Sequence, residues 1–256
     1  MRTLVVVAAL ALTACSGGGG TAAPTTAAGT TAAATTAATT APAPEASATF
    51  TAGAVLFSDD FTTKTHGWPN GTTANATYTV HTEYAHPQYT VTVRKAGTQL
   101  FPHPDFRGVS EQQLASYRVA ADLQSTLAFG QGDWLGVTCR DLNDKRYSFQ
   151  LTNDLATHTA SWRIAKHDGA RLTPLASGDT TIGGSAWAVA GTCATTASGV
   201  VHLVMTVNDQ EVGRVTDTDA PLLQGFGGVY LLSGRGRATI NVLSFSVTAV
   251  TAVTAA

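Results

Sequence analysis

Trp134-Leu135-Gly136-Val137-Thr138-Cys139, Tyr147-Ser148-Phe149-Gln150-Leu151 and Ser161-Trp162-Arg163-Ile164-Ala165-Lys166 follow one another closely in the chain. Each alternates large apolar residues with small or polar ones, the period of a strand with one face buried. Working outward, Thr77 to Val80, Tyr89 to Val93 and Tyr117 to Leu123 read the same way upstream. Downstream, so do Val200 to Val207, Glu211 to Val215, Gly228 to Leu232 and Ala238 to Val247. Asn208-Asp209 and His167-Asp168-Gly169 suit hairpin turns. Only Glu111 to Ala115 looks briefly helical. Strands without interleaved helices predict an all-β, two-sheet antiparallel sandwich.

The flanks carry other signals. Leu4 to Leu12 is an apolar run behind Met1-Arg2. As a helix such a run rises only about 14 Å, too short for a hydrocarbon core of about 30 Å, so it reads as a signal peptide. Leu12-Thr13-Ala14-Cys15 resembles the bacterial lipobox. That resemblance implies a diacylglycerol thioether on Cys15, and hence a mature protein moored to the outer face of a membrane. Ser16 to Ala52 is almost entirely Gly, Ala, Thr and Pro, with Glu45 its only charge. Lacking an apolar face, it reads as a disordered linker. The expected organisation is a lipoprotein signal peptide over 1–14, lipidated Cys15 and linker over 15–52, and the β-sandwich over 53–256.

The chain has 256 residues, with 15 Lys and Arg against 17 Asp and Glu. Only 12% of residues are charged and the formal net charge is −2, which lacks the basic footprint of a nucleic-acid binder. Of the three Cys, lipidation uses Cys15. Cys139 and Cys193 remain, and in an oxidising exported setting they most simply pair. Cys193 reads as lying in a Gly/Thr/Ser loop.

Several segments in order carry a further resemblance. They are Phe57-Ser58-Asp59-Asp60-Phe61, Gly67-Trp68-Pro69, Gly136-Val137-Thr138-Cys139-Arg140 and Tyr147-Ser148-Phe149. Trp162-Arg163-Ile164-Ala165-Lys166, Cys193, Val207-Asn208-Asp209 and Gly225 to Tyr230 follow. Across 54 to 248 the chain resembles the concanavalin A-like jelly-roll domains of bacterial exported proteins, related to LamG modules and to the keto-disaccharide hydrolase-like domain. The resemblance implies two antiparallel sheets, one of them concave.

Chemistry is sparse. Jelly-roll glucanases carry Glu-x-Asp-x-x-Glu, and no such triplet occurs here. The ligand-contact candidates are Arg140, Tyr147 and Arg163, on the most family-like strands, and Trp187, which follows a Gly/Ser turn and reads as exposed. Arg140 equally suits an ion pair with Asp141 or Asp144. Trp68, Trp134, Trp162 and Trp187 are candidates for a sugar platform, with Trp134 and Trp162 read as core. No organic cofactor is expected. Calcium is the candidate metal, through Asp217 and Asp219, whose alternate spacing puts two carboxylates on one side of a strand. Asp also simply favours turns.

These residues point to a membrane-anchored, extracytoplasmic module that binds carbohydrate or another cell-envelope component. Two alternatives stay open. One is a glycoside hydrolase of the keto-disaccharide hydrolase-like type. The other is a protein-interaction or structural envelope domain without a small ligand.

Overall fold

The computed structural model describes residues 49–253, apart from 64–65, 73–77, 84–86, 111–112, 126–131, 155–158 and 183. The signal peptide, Cys15 and most of the linker lie outside the described residues. No helix among the described residues is long and apolar enough to cross a membrane.

Among the described residues, fifteen strands form two antiparallel sheets. One runs β13 (Gln210–Asp217), β12 (Val201–Val207), β11 (Ala186–Thr195), β6 (Ser116–Ser125), β15 (Ala238–Val253), β4 (Gln88–Val93), β3 (Tyr78–Glu83), β2 (Gly71–Thr72). In it β1 (Thr49–Asp59) pairs with the C-terminal half of β15, from Thr49 opposite Val253 to Asp59 opposite Phe245. The other runs β10 (Arg171–Thr180), β9 (Thr159–Asp168), β8 (Lys145–Asp154), β7 (Trp134–Leu142), β14 (Phe226–Ser233), β5 (Thr98–Leu100). The chain crosses repeatedly between the layers, as in a jelly roll. The segment expected to be helical contributes a single 3-10 turn, Gln113–Ala115.

Alternation explains the layers. Tyr147, Phe149 and Leu151 of β8 point inward, where Leu135, Val137 and Ile164 join them. From the facing sheet come Val119, Leu123, Val189, Leu203, Met205, Phe245 and Val247. Glycines set how closely the layers meet. A methyl group at Gly191 of β11 would land on the Phe149 ring, and one at Gly213 of β13 on the Trp162 ring. The disulfide Cys139–Cys193 joins β7 to β11, with Cα atoms 6.6 Å apart, and so clips one sheet to the other.

Asn143-Asp144 and Asn208-Asp209 have φ between +50° and +62°, the left-handed pair that a two-residue type I′ hairpin requires. The β9–β10 turn is Gly169-Ala170, one step beyond the expected position, because Asp168 still pairs with Arg171.

Three other departures from the sequence reading have physical reasons. Cys193 is not in a loop; Ala-Trp-Ala-Val-Ala-Gly-Thr-Cys-Ala-Thr forms a central strand despite its small residues, because β6 and β12 pair with it on both sides. Strand β10 escaped the sequence because it contains Pro174 and Gly178. It lies at the sheet edge, where a missing N–H breaks no ladder. Strand β1 begins at Thr49, ahead of Gly53, because β15 extends far enough to pair with it.

Candidate functional site

The outer face of the six-stranded sheet is polar, and its order comes from register. Arg163 of β9 lies opposite Gln150 of β8, Gln150 opposite Gly136 of β7, and Gly136 opposite Tyr230 of β14. The next row holds Ser148 and Thr138. These side chains have the opposite parity to Tyr147 and Phe149, so they leave the core on the far side of the sheet.

Arg163, Gln150 and Ser148 form a connected network with His167 of β9. Arg163 Nε donates to Gln150 Oε1 at 2.6 Å. Gln150 Nε2 donates to Ser148 Oγ at 2.5 Å, and Ser148 Oγ lies 2.8 Å from His167 Nε2. Since Ser148 Oγ accepts from Gln150, its own proton is free for His167, which fits a neutral imidazole. Burial pushes the His167 imidazole down to about 4, and the Arg146 and Arg163 guanidiniums push the same way. Burial raises the Tyr230 phenol to about 12 against the pull of Arg163. The Tyr230 hydroxyl and Thr138 Oγ1 are buried without a hydrogen bond of ordinary geometry.

Two guanidinium–aromatic pairs stand on this floor. Arg163 covers Trp134, with the guanidinium carbon 4.0 Å from a ring centroid, and Arg146 covers Phe101 at 3.7 Å. Arg146 also pairs with Asp141 at 3.0 Å. Burial raises the Asp141 carboxyl while Arg146 holds it down. Beside the first pair opens a cleft of roughly 470 Å³, walled by Trp134, Ser161, Arg163, Ser177 and Asp179, with Trp162 at its side. The Ser161 hydroxyl donates to Asp179 Oδ1 at 2.7 Å. Among the described residues Arg163 has no carboxylate partner. The cleft therefore offers an aromatic ring, N–H donors, hydroxyls and one carboxylate, a set that matches hydroxyl-rich ligands.

Of the four sequence candidates for ligand contact, Arg163 alone lines this cleft. Arg140 lies in β7, whose alternation would turn it outward. A bulge between Cys139 and Leu142 and a φ of +58° turn it inward instead. There it is fully buried and donates to the carbonyls of Leu114, Ala115 and Leu223 and to Thr195 Oγ1. The Tyr117 hydroxyl accepts the Arg140 N–H at 2.7 Å. Arg140 thus ties the bulge to the 3-10 turn, the β13–β14 loop and β11. Tyr147 also faces inward, donating to Asp217 Oδ2 at 2.6 Å. Trp187 is 2% exposed, because its strand parity puts it in the core. Trp134, expected in the core, instead stands half-buried under Arg163.

Asp217 and Asp219 do not converge on one point. Asp217 is buried, and its carboxylate takes the Tyr147 hydroxyl, the Asp219 N–H at 3.1 Å and Lys166 Nζ at 2.8 Å. Asp219 is exposed, and it is its backbone carbonyl that Lys166 reaches, at 2.6 Å, beside that of Ala220 at 2.7 Å. The Lys166 ammonium thus bonds to the Asp217 carboxylate and to the Asp219 and Ala220 carbonyls together. No group of three or more His, Cys, Asp or Glu among the described residues is arranged to hold a metal.

The motif residues at the start of the domain are structural. The Asp59 carboxylate accepts from Trp68 Nε1 at 2.9 Å and from the Phe61 N–H at 2.7 Å, and lies 2.9 Å from His66 Nδ1.

Sequence reasoning missed Gln150, His167, Tyr230 and Asp179, and it read Trp134, one of the four platform candidates, as core. The signal for Gln150 was present in parity: Ser148 and Gln150 alternate with Tyr147, Phe149 and Leu151. Asp179 lay in the unrecognised edge strand.

No protein-family model matches the chain, and no curated protein matches its sequence. Solved structures are similar in fold. A carbohydrate-binding module, CBM66 from Bacillus subtilis, aligns at 12% identity over 78% of this chain and 95% of that one, with a TM-score of 0.48. A GH16 protein of a Bacteroides ovatus mixed-linkage glucan locus, in complex with a product, aligns at 9% identity over 75% and 99%, with a TM-score of 0.48. A bifunctional GH43-CE protein of Bacteroides eggerthii aligns at 9% over 74% of this chain and 25% of that one, with a TM-score of 0.49.

Proposed function

We propose that this chain is a binding module that holds carbohydrate, or another hydroxyl-rich component of the cell envelope, in the Trp134–Arg163 cleft. The observation that carries the reading is the cleft's composition. An aromatic ring fixed under a guanidinium, two serine hydroxyls and one carboxylate converge on a space of roughly 470 Å³. Gln150 holds Arg163 from behind, so the donor is oriented before a ligand arrives. Glycoside hydrolysis uses two carboxylates flanking one bond. Asp179 is the one carboxylate that lines this cleft among the described residues, which favours binding over cleavage.

The module is displayed outside the membrane through lipid on Cys15 and the Thr/Ala-rich linker. Support for this comes from Leu12-Thr13-Ala14-Cys15 directly behind the apolar run. Cys15→Ala releases the protein from the membrane fraction and abolishes incorporation of a labelled fatty acid; unchanged fractionation and labelling overturn the anchor.

The binding test is retention of the full chain on mixed-linkage β-glucan, arabinoxylan and chitin. Arg163→Ala is expected to weaken retention about tenfold to a hundredfold, as for loss of a charged hydrogen-bond donor. A variant that binds as the parent does refutes the assignment.

A further inference from the structure

Resting on that carbohydrate-binding reading, we propose that the cleft receives the terminal residue of a glycan chain and not an internal stretch. The geometry behind this is a plug across the groove. Phe101 directly follows β5 at one side of the six-stranded sheet, opposite Tyr230, and His167 belongs to β9 near the other. Four strand-to-strand steps of about 4.8 Å separate the two positions along the sheet. Their ring centroids nonetheless stand 5.6 Å apart. Side chains from the two flanks therefore meet over the face of the sheet.

Arg146 stacks on Phe101 from β8, and Tyr230 packs against Phe101 from below at 5.4 Å. Arg146, His167 and Tyr230 are 7%, 2% and 0% exposed. Past Arg163 the groove is therefore filled by the protein's own side chains. A glycan running along the strands would have to break the Arg146–Asp141 pair and the ring contacts of Phe101. The cleft remains approachable over β10, the edge strand that supplies Ser177 and Asp179. A ligand entering there meets the plug and stops. A terminal sugar also carries a hydroxyl where an internal one carries a linkage. The Arg163 guanidinium, which lines the cleft, offers N–H donors of the kind that suit that hydroxyl.

The experiment compares intact mixed-linkage β-glucan, arabinoxylan and chitin with partial acid hydrolysates of each at equal mass, using the full chain. Shortening the chains tenfold is expected to raise the number of binding sites per unit mass about tenfold, with the affinity per site unchanged. Sites per unit mass that stay constant or fall with shortening overturn the inference while leaving carbohydrate binding intact. No retention at any length overturns carbohydrate binding itself, and this inference with it. Phe101→Ala is a second arm, read with its thermal unfolding. If folded, it is expected to gain sites on intact polymer, and a folded variant without that gain counts against the plug. If it unfolds, the chain-length series on the unaltered protein decides alone.

Discussion

Replacing Arg140 by Met removes the one guanidinium that ties four segments together while nearly preserving volume. Its donors reach the Leu114, Ala115 and Leu223 carbonyls and Thr195 Oγ1, and it lies 3.4 Å from the Cys193 carbonyl. Hydrogen bonds to a charged group contribute about 1.5–3 kcal/mol each, and each buried acceptor left alone costs about 1–3 kcal/mol. Simple addition overshoots, because removing the ion also relieves its desolvation, which costs several kcal/mol. Burial already depresses the Arg140 guanidinium below its ordinary range, the sign of that cost. The net loss expected is about 3–5 kcal/mol, the range for orphaning one side of a buried charged network. Urea unfolding followed by tryptophan fluorescence, with the disulfide intact, reads it as a lower midpoint at unchanged slope. Arg140→Lys keeps the charge but replaces a fork of five donors with three on a point charge, so it is expected to recover less than half of the loss. An Arg140→Met protein within about 1 kcal/mol of the parent would refute the view that this residue organises the bulge.

Two further outcomes follow from buried groups. Cys139 and Cys193 are 54 residues apart, so replacing both by Ala is expected to cost about 4 kcal/mol through loop entropy in the unfolded chain, read by the same urea titration; a change under about 1 kcal/mol contradicts it. His167 is held neutral, near 4 against an ordinary 6.5. Between those values the unfolded chain binds the proton and the folded chain does not, so stability is full above the window and falls as pH drops through it. The loss is about 3 kcal/mol, and His167→Gln is expected to flatten that part of the profile. An unchanged profile in the variant would show that other groups carry the acid sensitivity.

Much of the architecture was legible in linear order because strand parity is a local property. Tyr147, Phe149 and Leu151 announce an inward face without knowledge of their neighbours. The same alternation left Ser148 and Gln150 on the outer face, yet their role depends on Arg163 and His167 from the adjacent strand, which register brings alongside. Alternation failed at Arg140, where one bulge reverses the side of the sheet and converts an apparent ligand contact into a core tie. Nor did the spacing of Asp217 and Asp219 show that Lys166, from a different strand, bonds to the Asp217 carboxylate.

By itself, the order of residues determined that the chain forms two stacked antiparallel layers and that Cys139 and Cys193 lie within them as candidates to pair. Period, turn chemistry and cysteine count act over a few neighbours and survive in any sequence window. The tertiary structure alone decided which polar groups share a cleft. Trp134, Arg163 and Asp179 meet only because β7, β9 and β10 lie in one curled sheet. Curvature and register arise from the packing of whole sheets, and no single segment encodes them.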